Sequence, residues 1–340
     1  MTIHLINKET VSNLIIDKKI LGKNHIENYN EYLNVCYVFD HGAVRGAGVS
    51  ICSVCENNKN DKFIFHALCT DLTDDDIKKL ELIIDKYDTT IILYFIDKSA
   101  EIIKQLDLGN FHVATWYRIF IPYILECKKV LYIDADILNL SSLTELFRID
   151  MENHFIAAAP DTEKTNRNRN NMLNLKSHIY FNAGVLLINV NRWIDNDCSD
   201  KILDIVKKYG QKLVLPDQDA LNILFSPSGD TYYLDKKYNR VELWKEQNIK
   251  EKLRETVLLH FVQTKPWQEA WLYEKRPYIE NLYAQYEKIS PWKDMPLERK
   301  KQLSYHDKRK RAVFLLRKGK ILDSLYWYKK YLKAKIMKED

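Results

Sequence analysis

Two carboxylates stand one residue apart at Asp134 and Asp136, directly after the apolar run Val130, Leu131, Tyr132 and Ile133. In an extended chain residues i and i+2 point the same way, so both side chains can present oxygens to one point. Hard oxygen ligands in that arrangement suit a divalent cation such as Mg²⁺ or Mn²⁺. The spacing by itself is common here, because Asp74/Asp76, Asp195/Asp197 and Asp217/Asp219 repeat it in a chain with 47 acids. Only the 134/136 pair follows a wholly apolar strand, and open α/β sheets bind their ligands at strand carboxyl ends. A metal pair is therefore preferred over a solvated loop pair or a helix N-cap.

Other residues could join that chemistry. His260 closes the apolar strand TVLLH at 256–260, and Lys265 follows in KPW. A lone histidine there is more often structural, but added to two carboxylates it makes a mixed donor set that favours Mn²⁺ over Mg²⁺. Lys265 could then neutralise phosphate. Asp217, Gln218 and Asp219 occupy the first turn of a helix begun by Pro216. The helix dipole accounts for the two acids. Gln218 has no such explanation and is a neutral donor suited to a sugar. Arg118 lies in an apolar helix expected over 112–125, either as a structural ion-pair partner or as a contact to phosphate or a metal-site carboxylate. Asp40 ends the strand 34–40 ahead of Gly42, Gly46 and Gly48, a nucleotide-binding opening that does not fit G-x-G-x-x-G. Asp161 ends the small-residue strand FIAAAP, and Asn182 with Gly184 opens a strand expected over 181–193. Cys52 and Cys55 form a lone C-x-x-C, read as core packing.

Buried strands alternate with amphipathic helices around these residues, the pattern of a mainly parallel α/β sheet covered on both faces. The helix after 70, for example, opens with Thr73 and Asp76 in a capping box and buries Ile77, Leu80, Ile83 and Ile84. The polar stretch 162–178 reads as a disordered loop or a lid over the presumed strand ends. Residues 1–33 read as an edge hairpin or loose arm with no assigned chemistry.

The chain of 340 residues is 46% hydrophobic with only 9 Gly and 8 Pro, a globular composition. Its net charge of +5 is unevenly spread: residues 299–338 hold 15 Lys/Arg against 2 Asp/Glu, leaving 37 against 45 elsewhere. On a helix, Ile321, Leu325, Tyr328, Leu332 and Ile336 share one side with Trp327 and Tyr331 nearby, as in an interfacial helix on anionic lipid. Docking of that helix on its own domain is the competing reading. No nucleic-acid recognition module accompanies the basic tail. No apolar run reaches the roughly 20 residues of a membrane span, and the N-terminus lacks a secretory pattern. The expected location is cytoplasmic, with irregularly spaced cysteines reduced.

VLYIDADIL, FNAGVLLINVNRW, LPDQDALNILF and HFVQTKPW, in this order, resemble the retaining glycosyltransferases of family eight, most closely the bacterial lipopolysaccharide core glucosyl- and galactosyltransferases. The resemblance implies a nucleotide-diphospho-sugar transferase (GT-A-like) fold that takes UDP-glucose or UDP-galactose with Mn²⁺ or Mg²⁺. It implies a catalytic domain over 34–275, and a helical basic extension over 276–340 lying peripherally on the inner face of the inner membrane. Asp134, Asp136 and His260 then resemble the metal ligands and Lys265 the diphosphate partner. The resemblance implies that the whole Asp134–Ala135–Asp136 segment contacts the donor. Asp40 resembles the uracil contact, Arg118 and Asn182 the donor-sugar and phosphate contacts, and Asp161, Asp217 and Gln218 the surroundings of the transferred hexose. The loop between His260 and Lys265 is shorter than is usual in the family. Two other functions fit parts of the pattern: a haloacid-dehalogenase-type phosphatase, which also opens on Asp-x-Asp, and a non-catalytic sugar- or lipid-binding relative.

Overall fold

The computed structural model describes residues 6–336 apart from 24–25, 107–112, 176–177, 228, 242, 244–245, 274–275, 277, 280 and 300–302. Eleven strands are found among them: β1 Ile15–Leu21, β2 Leu33–Asp40, β3 Phe63–Thr70, β4 Thr90–Ile96, β5 Lys129–Ile133, β6 Ile137–Asn139, β7 Ile156–Ala158, β8 Val185–Asn189, β9 Thr231–Tyr233, β10 Arg240–Val241 and β11 Leu258–His260. Eight form the central sheet in the order β1-β4-β3-β2-β5-β8-β7-β9. The segment β4-β3-β2-β5 is parallel throughout, whereas β8 runs antiparallel between β5 and β7. Every residue of β3 is buried, as a strand covered on both faces requires.

The first 33 residues contribute more than an arm. β1 pairs antiparallel with β4, from Leu21 opposite Ile91 to Ile15 opposite Ile96, and closes one edge of the sheet. Its centre, Asp17-Lys18-Lys19, is exposed, which is the usual protection of an edge strand.

Three further expectations change. The stretch 162–178 is largely helix, Glu163–Leu173, capped by Thr162 at its start and by left-handed Asn174 at its end; residues 176–177 lie outside the described residues. It reads as too polar for a core because its buried face is itself partly polar, made of Arg169, Asn170 and Leu173. The strand expected over 181–193 is only Val185–Asn189; the Asn189 side chain then accepts from Arg192 N–H at 3.1 Å and starts a helix over Val190–Asp195. The helix expected over 112–125 begins outside the described residues and is a 3₁₀ segment, Val113–Phe120, followed by one α-turn at Ile121–Ile124.

A second sheet, β10-β11-β6, matters most for chemistry. β6 leaves Asp136 directly, and β11 pairs antiparallel with it so that His260 sits opposite Ile137. The Phe261 N–H donates to Asp136 O at 2.9 Å, fixing His260 beside the acid pair. The glycines after Asp40 serve packing: Gly46 lies inside the helix Val44–Asn57, where a Cβ would come within 2.7 Å of Ala135 O and overlap the Trp267 ring. All six cysteines are free, and burial pushes the Cys52 thiol up to about 12, so it packs as an inert apolar group.

Two C-terminal helices, Tyr305–Arg317 and Ile321–Ile336, pack on each other; the Ser324 hydroxyl donates to Ala312 O at 2.8 Å. The second helix turns Ser324, Tyr331 and Ala334 inward. Tyr331 therefore belongs to the packed side, stacked near Tyr305, rather than to the apolar stripe. Residues 300–302 and 337–338 of the basic tail lie outside the described residues. No helix among the described residues is long and apolar enough to cross a membrane.

Candidate active site

The acid pair sits at the carboxyl end of β5, in a turn. The Ile137 N–H donates to Asp134 O at 3.2 Å, so the two side chains converge through a chain reversal rather than the extended spacing expected from the sequence. Asp134 N–H in turn donates to Gly184 O at 2.9 Å, tying the turn to the start of β8. Asp134, Asp136 and His260 each offer a ligand atom, and the three atoms lie within 4.8 Å of one another. Gly184 leaves the room they need: a Cβ at that position would come 2.8 Å from Asp134 Oδ2 and overlap the His260 ring.

The ring orientation of His260 follows from a chain of amides. Gly184 N–H can only donate, and it meets Asn182 Oδ1 at 3.0 Å. That oxygen also faces the Asn239 amide at 2.8 Å, so Asn239 presents its NH₂ there and its oxygen to His260 Nδ1 at 3.0 Å. The Asn239 oxygen can only accept, so Nδ1 donates to it and Nε2 is the nitrogen left to face the acids, 3.3 Å from Asp136 Oδ1 and 3.7 Å from Asp134 Oδ2, where it would ligate a cation. Two carboxylates and one neutral imidazole nitrogen fit Mn²⁺ well and Mg²⁺ acceptably.

Cations offset the acids. Arg118 is buried, donating to Ala183 O at 2.6 Å and lying 3.2 Å from both Asp134 Oδ1 and Asp217 Oδ2, with its guanidinium 4.5 Å over the Tyr132 ring. Burial works against its charge, but Tyr132, Asp217 and Asp134 together hold it protonated. Asp134 Oδ1 also accepts from the Tyr132 hydroxyl. Lys265 contacts Asp136 Oδ2, and although burial raises the Asp136 carboxyl, Lys265 and His260 outweigh it and hold the group ionised well below the usual range. Asp217 shifts upward because its burial outweighs Arg118.

The same amide chain continues to the far wall. Asn182 Nδ2 and Gln218 Nε2 donate to Asp161 Oδ2 at 2.9 and 3.0 Å, and Gln218 Oε1 accepts from Ala183 N–H at 3.0 Å. Gln218 Nε2 also reaches the Tyr180 hydroxyl at 3.2 Å. Tyr180 donates to fully buried Asp219, which Arg169 grips through Nε and a terminal nitrogen at 2.9 and 2.5 Å. Removing one partner of such a buried pair costs about 3–5 kcal/mol. The helix Glu163–Leu173 is therefore clamped to the helix Pro216–Phe225 that carries Gln218, and is no free lid.

Asp134, Ala135, Asp136, Arg118, Asn182, Asp217, Gln218, His260 and Lys265 all line one cavity of about 400 Å³. Asp161 forms its rear support and lines a neighbouring cavity. Asp40 stands outside the lining; its carboxylate accepts from the N–H of Ala43, which does line it. Three contributors escaped the sequence reading. Asn239 carries no periodic signal, Tyr132 looks like any strand residue, and Thr115 lines the cavity with a buried hydroxyl that has no partner among the described residues.

A mainly parallel sheet with an Asp-x-Asp turn at a strand's carboxyl end, and a histidine brought beside it by a second sheet, is the GT-A-like arrangement. The crystal structure of the galactosyltransferase LgtC in complex with donor and acceptor sugar analogues shares this fold, with a TM-score of 0.64 at 20% identity over 76% of this chain and 96% of that chain. The glycosyl transferase family 8 model matches residues 28–270 and the glycosyl transferase family 8 C-terminal model matches 279–335. Lipopolysaccharide 1,2-glucosyltransferase of Escherichia coli is 32% identical over 88% of this chain and 91% of its own length. Lipopolysaccharide 1,3-galactosyltransferase of Salmonella typhimurium is 28% identical over 96% of this chain and 100% of its own length. The chain belongs to glycosyl transferase family 8.

Asn239→Ala removes the acceptor that sets the His260 tautomer. Titration calorimetry with Mn²⁺ is expected to show about a 10–100-fold loss of affinity, and thermal unfolding a loss of about 1–3 kcal/mol from the buried polar groups left unpaired. Unchanged Mn²⁺ affinity would refute the assignment of Asn239 as the group that orients His260.

Proposed function

We propose that this protein transfers glucose or galactose from a UDP-sugar to the lipopolysaccharide core oligosaccharide, with retention at the anomeric carbon. The observation that carries the reading is the convergence of Asp134, Asp136 and His260 beside Lys265 and Gln218 in one cavity. Names of relatives that span nearly all of the chain supply the substrate class.

In this reading Asp134, Asp136 and His260 hold Mn²⁺ or Mg²⁺, which when bound supplies Lewis-acid stabilisation of the diphosphate leaving group. Lys265 lies close enough to Asp136 to exchange that contact for a phosphate oxygen and add a second positive charge. Asp40 takes the uracil, Arg118 and Asn182 the donor sugar and phosphates, and Asp217 the hexose hydroxyls, with Asp161 beside the hexose as the support of Asn182 and Gln218. Gln218 is held on both ends of its amide, by Ala183 N–H and Asp161, so its place beside the sugar is fixed before substrate arrives. Asp161 accepts three hydrogen bonds, from Thr162 N–H, Asn182 and Gln218, which makes it a poor nucleophile. We therefore favour same-face attack by the acceptor hydroxyl through an oxocarbenium-like state, with the β-phosphate taking the proton.

Asp134→Asn is expected to abolish Mn²⁺-dependent hydrolysis and transfer of UDP-glucose and UDP-galactose. Assayed together with a phosphatase substrate, the wild type should act on one or both UDP-sugars only; full sugar transfer by Asp134→Asn would sink the metal assignment. Phosphatase activity alone would favour the dehalogenase-type reading, and no turnover at all the non-catalytic one.

The C-terminal hairpin supports a peripheral position on an anionic membrane surface at the cytoplasmic face. Ile321, Leu325, Tyr328, Leu332 and Ile336 are all exposed, Ile336 at 82%, while the opposite side of their helix packs inward. Basic residues near such a surface contribute about 1 kcal/mol each. Leu325→Asp with Ile336→Asp should release the protein from vesicles rich in phosphatidylglycerol in a sedimentation assay. Undiminished binding would remove this face from the account.

A further inference from the structure

Behind Asp161 lies a second cavity of about 380 Å³ that shares no lining residue with the first among the described residues. Asp161 and Asn239 line it and both bond Asn182, which lines the first cavity, so the two spaces adjoin at these side chains. A sugar in this cavity would therefore approach the transferred hexose from the Asp161 side.

Arg240, the residue after Asn239, lines this cavity at 6% exposure. Among the described residues its guanidinium makes one hydrogen bond, a long one of 3.4 Å from a terminal nitrogen to Glu246 Oε2, and its Nε has no partner. Glu246 accepts the shorter bond, 2.6 Å from Lys252, on the same oxygen, and its contact to Arg240 stays long. The Asp161 carboxylate is committed to Thr162, Asn182 and Gln218. At the rim Lys236 and Glu163 are both exposed. A guanidinium has five donors in a rigid fork, and one this buried is ordinarily satisfied. The acceptor it lacks is best supplied by an oxyanion, which the fork matches in shape and charge.

We propose that this cavity receives the acceptor sugar and that Arg240 reads an anionic substituent on it, a phosphate or a carboxylate, with the hydroxyl to be glycosylated at the Asp161 end. The inference rests on the transferase reading above. It adds a charge requirement on the acceptor, set by a residue outside the donor cavity.

The test uses the full chain and three forms of core oligosaccharide acceptor: untreated, phosphatase-treated and carboxyl-reduced. One of the two treatments should raise the wild-type acceptor KM about tenfold or more, the range of a lost charge-assisted hydrogen bond. The treatment that acts identifies the anion. Arg240→Gln should show no difference between treated and untreated acceptor, and Arg240→Lys, which retains the charge, should keep part of it. A wild-type KM indifferent to both treatments overturns the proposal without any variant. So does discrimination that persists in Arg240→Gln. Absence of transfer from any UDP-sugar to untreated acceptor would instead fail the transferase reading itself.

Discussion

Two carboxylates brought within 4.8 Å of each other at a buried sheet edge repel by roughly 3 kcal/mol at an effective dielectric of about 20, and the surrounding polar structure offsets that cost. Arg118 approaches Asp134 from the 3₁₀ segment, Lys265 approaches Asp136 from the loop after β11, and the Tyr132 hydroxyl donates from within β5. Each comes from a different element, so the charge balance depends on the fold as a whole. The crossing of the two sheets supplies the last member: β6 leaves the acid pair and β11 returns along it, carrying His260.

A line of three amides and the Asp161 carboxylate then links the candidate metal end to the candidate sugar end. His260, Asn239, Asn182, Asp161 and Gln218 are joined by bonds of 2.8–3.0 Å, and Tyr180 and Asp219 extend the line to Arg169. Backbone N–H groups of Gly184 and Ala183 fix the direction of each amide because they can only donate. The orientation of the donor nitrogen on His260 and of Gln218 are thus parts of one network. Such networks are stiff when every member is satisfied.

Much of this was legible in the sequence, and the limits have physical causes. The apolar strand before Asp134, the helix begun by Pro216 and the sheet class follow from periodicity, which reports burial directly. The turn at Asp134–Asp136 does not, because a turn and a strand end share the same two-residue spacing. The helix Glu163–Leu173 hid behind its own polarity, since its buried side chains include Arg169 and Asn170, which pair across to other elements. β1 was legible only as one of two readings, an edge hairpin or a loose arm, because the charges that protect an edge dilute its apolar pattern. Asn239 and Arg240 matter only through partners far away in the chain, and no local pattern encodes that. His260 and Lys265 could be singled out by residue type, but their meeting with the acids rested on family resemblance until the sheet pairing placed them.

The central claim is that one ion binds both carboxylates and the Nε2 of His260. Pulsed electron paramagnetic resonance of the Mn²⁺-loaded protein, with ¹⁵N-labelled histidine, reads directly bound imidazole nitrogen. The account predicts one nitrogen coupling in the wild type that vanishes in His260→Ala. A coupling that is absent from the wild type, or that survives in His260→Ala, would contradict it.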